Sequence, residues 1–339
     1  MVKTAFVFPG QGAQFVGMGK DFYEGFDWAK SMYEEANELL GKDIARICFE
    51  GPEEELTLTE NTQPAILIHS IIALKCLREH DIDAVVEVLK SDYLTQGPKI
   101  VEFENDLANY CDAQYAKVVS NGTAALHLAY LAIGLKKNDI MWTVPNTFVA
   151  TANAALYCGA EVDFVDIDAR TYNLSIDALK LKLLQAKKDN KLPKLIVPVH
   201  FSGQSCEMKD IWALSKKYGF YVIEDASHAL GGEYMNKKVG NCEYSHMAIF
   251  SFHPVKMITT GEGGAVMTND KELDGMVSLL RSHGITKDIN QFKNESDGDW
   301  YYEQQALGFN YRLTDIQAAL GVSPFLYQAA HYRPTARRV

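Results

Sequence analysis

The chain has 339 residues, 47% of them hydrophobic and 23% charged, which leaves apolar area for a large core and, at roughly 100 to 200 residues per domain, predicts about two domains. Its 33 basic against 44 acidic residues give a net charge of −11, which argues against nucleic acid and anionic membrane surfaces as partners. The six cysteines, Cys48, Cys76, Cys111, Cys158, Cys206 and Cys242, form no C-x-x-C pair; that argues against a zinc or redox motif and predicts free thiols in a reducing compartment, with the cytoplasm as the expected location.

Residues 1 to 8 read as an apolar strand too short for a signal peptide, and the loop Pro9-Gly10-Gln11-Gly12-Ala13-Gln14 leads into helical sequence from Asp21 to Leu40. Thr59 to Pro64 punctuates the chain before an apolar helix expected over 65 to 79, with Pro64 in its first turn. The apolar run Pro64 to Leu77 is shorter than the roughly 20 residues that span a bilayer and reads as a buried helix. Beyond Asp81, strands are expected over 117–120, 161–167, 194–200, 220–224 and 246–251, alternating with helical segments of which one starts at Thr123. That alternation predicts an α/β fold with a mostly parallel sheet covered by helices on both faces. Residues 323 to 339 lack periodicity and are expected to be loose.

The densest chemistry lies in Ser251-Phe252-His253-Pro254-Val255-Lys256, followed by Thr259-Thr260-Gly261-Glu262-Gly263-Gly264. A lysine held in a loop after a strand and partly desolvated has a lowered pKa and can form a Schiff base with an aldehyde cofactor, for which pyridoxal phosphate is the obvious candidate. Alone, Lys256 would read as a solvated surface lysine, so partners are needed. Asp225 ends the apolar strand Phe220-Tyr221-Val222-Ile223, where a buried carboxylate can hold a pyridinium nitrogen protonated; it can equally be the N-cap of a helix starting at Ala226. His228 is a cofactor-binding candidate or a satisfied core histidine. Ser120-Asn121-Gly122-Thr123-Ala124-Ala125 follows a short strand and opens a helix, a turn that can cradle a phosphate on free amides or be a plain N-cap by Ser120 or Thr123. Phe148, in Pro145-Asn146-Thr147-Phe148-Val149-Ala150-Thr151, can stack on a planar ring or belong to the core.

Together with Leu94-Thr95-Gln96-Gly97-Pro98, Glu224-Asp225-Ala226-Ser227-His228-Ala229 and Gly308-Phe309-Asn310-Tyr311-Arg312, these motifs occur in the order found in the DegT/DnrJ/EryC1 family of sugar aminotransferases, which residues 81 to 322 resemble. The resemblance implies a fold type I pyridoxal phosphate enzyme. It implies Lys256 as the Schiff-base lysine, Asp225 as the pyridinium partner, Phe148 as the stacking ring, and Thr123, Ala124 and Ser251 on the phosphate. Asn310 would reach the phosphate of a neighbouring subunit, which implies a homodimer. Leu94 to Pro98 and Ser227 to Gly240 are most similar to the UDP-sugar 4-aminotransferases of the pseudaminic acid pathway, implying a UDP-linked 4-keto-6-deoxy-N-acetylhexosamine as substrate and glutamate as amino donor.

Phe6 to Gln14, Gly17-Met18-Gly19 and Thr59 to Leu67 resemble instead the start of malonyl-CoA:acyl carrier protein transacylase, with Gln11 helping to form an oxyanion hole. That chemistry needs a serine on a strained G-x-S-x-G turn, and no G-x-S-x-G occurs in the chain; Ser70, after His69, sits in a helical apolar run and reads as packing. The expected organisation is therefore a truncated acyltransferase-like α/β segment over 1–80, an aminotransferase large domain over 81–322, and an unassigned tail over 323–339. The family continues into a small C-terminal domain where this sequence diverts, so cofactor binding is expected to survive better than sugar turnover. The alternatives are a transacylase-like protein and an inactive fusion of two truncated enzymes.

Overall fold

A computed structural model describes residues 14–76 and 83–322. The chain divides into two compact units, Met1–Val86 and Glu87–Val339. The described part of the first unit is helical: α1 (Lys20–Gly25), α2 (Asp27–Leu40), α3 (Ile44–Glu50), α4 (Glu53–Leu56) and α5 (Thr59–Cys76). The strand expected over residues 1 to 8 and the Gln11 loop lie outside the described residues. Tyr33, Ile44, Cys48, Leu56, Ala65 and Ile72 are fully buried within this unit.

Pro64 is not in a first turn. The helix α5 starts five residues earlier, because Asn61 and Thr62 turn their side chains back onto the carbonyls of Glu55 and Leu56 and their amides reach the Leu58 carbonyl. A proline inside a helix leaves the carbonyl four residues back without its usual donor; here that carbonyl belongs to Glu60, and the Lys42 ammonium donates to it at 3.0 Å. Ser70 lies inside α5 and is buried, a place where no nucleophile elbow can form.

A further helix, α6 (Asp83–Lys90), precedes the α/β unit. There the elements run α7 (Pro98–Cys111), β1 (Tyr115–Val119), α8 (Gly122–Ala132), β2 (Ile140–Thr143), α9 (Val149–Tyr157), β3 (Glu161–Phe164), α10 (Ile176–Lys188), β4 (Leu195–Ile196), α11 (Met208–Tyr218) and β5 (Tyr221–Asp225). A short hairpin, β6 (Glu233–Tyr234) and β7 (Lys237–Lys238), follows. The unit ends with β8 (Met247–Ser251), β9 (Gly264–Thr268), α12 (Lys271–Leu280), the two-stranded pair β10 (Ile285–Thr286) and β11 (Glu303–Gln304), and α13 (Asp315–Val322).

Seven strands form one sheet in the order β1-β9-β8-β5-β4-β2-β3. All neighbours pair parallel except β9, which is antiparallel to both β1 and β8. The mostly parallel α/β architecture expected from the sequence is therefore present. The strands expected over 161–167 and 194–200 are shorter, ending at Phe164 and Ile196, and continue only as single bridges, Ile167 to Leu174 and Val199 to Asp225. Alternate residues of each strand feed opposite faces, as the period of two requires. Ile223, Ile249 and Val266 pack under α8, α9 and α12, while Phe250 and Met267 meet α7 and α13 and Val222 meets α10 and α11. Burying each such side chain contributes roughly 1.5–3 kcal/mol.

The Leu94 to Pro98 motif is held by the start of α13. The Asp315 carboxylate at the start of α13, 1% exposed, accepts the amides of Gly97 (2.5 Å) and Lys99 (2.9 Å) at the start of α7. Glycine is required at 97, since a Cβ there would lie 2.5 Å from Tyr93 Cβ and 2.8 Å from the same carboxylate.

Candidate active site

The carboxyl ends of parallel strands are where α/β sheets place their sites. Here β5 ends at Asp225, β8 at Ser251, and the turn after β1 opens α8, and all three converge on a cleft of about 930 Å³. Seven of the eight residues singled out from the sequence line it: Thr123, Ala124, Phe148, Asp225, His228, Ser251 and Lys256. Asn310 does not. It is exposed, bridged to Ser282 and flanked by the stacked rings of Phe309 and Tyr311, of which Tyr311 lines the cleft.

Asp225 is 5% exposed and is not a helix cap, because no helix follows β5. One carboxylate oxygen accepts the hydroxyl of Thr151 at 2.6 Å; the other accepts the hydroxyl (2.6 Å) and amide (3.2 Å) of Ser227. A carboxylate offers about four lone-pair sites, so three donors leave room for one more. Thr151 is itself fully buried and 2.9 Å from the Thr147 hydroxyl. Thr151→Val, which keeps shape and removes the charge-assisted bond, is expected to lower stability by about 1.5–3 kcal/mol, measured as a shifted urea midpoint at constant slope.

Lys256 lies in the loop between β8 and β9, its amide bonded to the His253 carbonyl at 2.9 Å. Partial burial pulls the ammonium below the ordinary lysine value, against the opposing pull of the Asp225 charge. Its Nζ is in hydrogen-bond contact with His228 Nε2. His228 is likewise held below the ordinary imidazole value, by burial and then by the Lys256 charge.

At the start of α8 the cap is Asn121, neither Ser120 nor Thr123: its side-chain oxygen accepts the Ala124 amide at 2.8 Å. Strands β8 and β9 and the helix start are pressed together by small residues. A Cβ on Gly122 would sit 3.0 Å from Ser251 Cβ, and one on Gly264, which pairs with Ser251 across β8 and β9, would sit 2.6 Å from the Asn121 carbonyl carbon. Gly122, Thr123 and Ala124 thus form a tight turn against Ser251 of β8 at the positive end of a helix dipole, where an anion can be held, the Ala124 amide being given to Asn121. Phe148 precedes α9 and is 75% exposed at the cleft, which removes the core reading.

Sequence reasoning did not single out Thr151, Ser227, His200 or Glu224. His200, which lines the cleft, is 2.7 Å through Nε2 from the buried Glu224 carboxylate, whose other oxygen accepts the Ser245 hydroxyl at 2.5 Å. Because His200 Nδ1 accepts the Cys206 amide at 3.1 Å, the ring proton lies on Nε2 and is the one given to Glu224. The signal for Ser227 was local: an aspartate two residues before a serine amide is an Asx-turn spacing. Thr151 is 74 residues from its partner, and no local pattern marks such a bond.

A model of the DegT/DnrJ/EryC1/StrS aminotransferase family matches residues 75–329. The chain belongs to that family. Among curated relatives it is 48% identical over 245 residues to the UDP-4-amino-4,6-dideoxy-N-acetyl-beta-L-altrosamine transaminase of Campylobacter jejuni, covering 72% of this chain and 61% of that protein. Among solved structures, PseC of Helicobacter pylori, an aminotransferase involved in the biosynthesis of pseudoaminic acid, superposes with a TM-score of 0.65 at 37% identity, over 74% of this chain and 63% of that one. NtdA from Bacillus subtilis with bound cofactor PMP superposes with a TM-score of 0.62 at 28% identity, over 74% of this chain and 53% of that one. The chain thus spans about three-fifths of the length of the curated relatives it matches. Among the described residues no group of side chains is placed to hold a metal ion, and no helix is long and apolar enough to cross a membrane.

Proposed function

We propose that this protein is a pyridoxal phosphate-dependent aminotransferase acting in the cytoplasm on a nucleotide-linked 4-keto-6-deoxy sugar, with a UDP-linked N-acetylhexosamine as substrate and glutamate as donor. The observation that carries the reading is the meeting, in one cleft, of a lysine with lowered proton affinity, a buried carboxylate with one acceptor site to spare, and a helix start open to an anion. Bound pyridoxal phosphate supplies an electron sink and a carrier for the amino group. Lys256 Nζ would hold its aldehyde carbon, Asp225 its ring nitrogen, Thr123 and Ser251 its phosphate, with Ala124, whose amide is given to Asn121, lining that end, and Phe148 the face of its ring. Thr151 and Ser227 keep the Asp225 carboxylate turned one way. The Lys256 amine, when free, would be placed to accept and return a proton within the same cleft. The volume of about 930 Å³ is at the upper end for small-molecule sites and accommodates a cofactor with a sugar beside it.

The activities of the C. jejuni and H. pylori relatives support the sugar class. The transacylase reading gains nothing from the structure: the described residues of the first unit are helical and Ser70 is buried within α5. The direct test is incubation with glutamate and the UDP-4-keto sugar, following 2-oxoglutarate. Its appearance beyond one equivalent per chain only when both are present supports the reading; release that stops at one equivalent with the sugar present refutes the sugar assignment. Because Asn310 is outside its own cleft, its proposed role on a neighbouring subunit's phosphate makes cofactor retention depend on a homodimer. In equilibrium sedimentation, cofactor absorbance is expected to travel with dimer and to be lost on dilution; a monomer with full occupancy would remove the shared-site proposal.

A further inference from the structure

We propose that His228 is the proton acceptor of Lys256, taking the ammonium proton as the lysine amine is called on to react. The proposal rests on the reading of Lys256 as the reactive amine and adds to it the destination of its proton. The geometry points to this histidine and to no other group of the cleft. Among the described residues lining the cleft, Lys256 is the sole ammonium or guanidinium, and its Nζ is in contact with His228 Nε2.

The other titratable groups facing this space are engaged or lack that contact. Asp225, at the end of β5, accepts from Thr151 and Ser227. His200, after β4, is bonded through both ring nitrogens, to Glu224 and to the Cys206 amide. On the Lys256 loop itself, His253 Nδ1 accepts the Val255 amide at 3.4 Å, while Glu262, whose backbone carbonyl accepts from Thr260 and Gln317, shows no contact of its carboxylate with Lys256 Nζ. Tyr311, before α13, faces His127 at 3.3 Å, and Tyr157, at the end of α9, packs edge-on to the same His127 ring.

The His228 backbone is fixed by a close approach. Gly203, at φ +86°, lies so near the His228 carbonyl oxygen that a Cβ would be 2.6 Å from it, and the neighbouring Ser202 is held at φ +51°.

In the step, the N–H bond at Lys256 Nζ breaks, its electron pair stays on nitrogen as the lone pair needed for attack, and the proton bonds to His228 Nε2. The pair carries +1 before and after. Since His228 is exposed on its cleft side, the imidazolium can release the proton to water. Burial and the Lys256 charge keep the imidazole neutral beforehand, which is the form able to accept.

The test needs neither cofactor nor sugar. The full chain freed of cofactor is treated with 2,4,6-trinitrobenzenesulfonate across pH, and the label on the Lys256 peptide is followed for wild type, His228→Ala and His228→Gln, with Lys256→Ala as the blank. Wild type is expected to label at least about tenfold faster than either variant near neutral pH, with the difference closing at high pH, where hydroxide removes the proton. His228→Gln keeps size and hydrogen bonding, so it guards against a fold defect in the alanine variant. Superimposable pH profiles for wild type and His228→Gln would overturn the proposal. Addition of pyridoxal phosphate to wild type is read separately: no visible band there would count against the aminotransferase reading while leaving the labelling result to stand or fall by itself.

Discussion

Lys256→Ala, freed of unbound pyridoxal phosphate by gel filtration, will lack the visible band of a lysine-bound cofactor and will be inactive in amino transfer. The chromophore of lysine-bound pyridoxal phosphate requires a neutral amine at the aldehyde carbon, and among the described residues lining the cleft no second lysine can take its place. The effect is all-or-none in the visible spectrum, whereas the fold should be unaffected, because Lys256 is half-exposed and removing its side chain opens no core cavity. Matching far-ultraviolet circular dichroism with a lost visible band is the expected pair of results. A variant that stays yellow would place the reactive lysine elsewhere.

Asp225→Asn is the second large effect. The substitution preserves volume at a position 5% exposed but replaces an acceptor-only carboxylate with an amide that carries two donors of its own. Thr151 and Ser227 donate to the carboxylate, so one amide nitrogen would face a donor, and the ring nitrogen of the cofactor would lose its ionic partner. Removing one preorganised electrostatic partner costs on the order of a hundred- to a thousandfold in turnover. The α8 turn and Lys256 are untouched, so bound cofactor should be retained, measured by absorbance after gel filtration. Near-parental turnover in Asp225→Asn would exclude the pyridinium role.

The site was legible in the sequence where its chemistry is packed into short motifs. Lys256 follows the β8 strand within six residues, Asp225 closes an apolar run, and the Ser120–Ala125 turn lies between a strand and a helix, so each could be placed by strand-end logic alone. Roles that depend on long-range contacts were not legible. Phe148 in an apolar run reads equally as core until the start of α9 is seen to hold it at the rim. Thr151 acquires its role only because α9 brings it to a carboxylate 74 residues away. The alternative of a plain cap by Ser120 or Thr123 rests on side chains of the capping type, yet Asn121 between them has the extended backbone that capping needs.

In the fold, β9 escaped notice because Gly261 to Gly264 dominates its approach and its five residues are buried on both sides, so it shows no alternation. It proves to be the one antiparallel member of the sheet and places Gly264 against the phosphate turn. Pro64 misled in the opposite sense: a proline suits a first turn, but the Lys42 ammonium satisfies the carbonyl that the proline leaves open, and α5 runs through it.

The measurement that bears most directly on the central claim is borohydride reduction of the wild-type chain after addition of pyridoxal phosphate, followed by peptide mapping. One reduced cofactor adduct per chain, on the peptide containing Lys256, is the expected result. An adduct spread over surface lysines, or seated on a lysine outside the cleft, would contradict it.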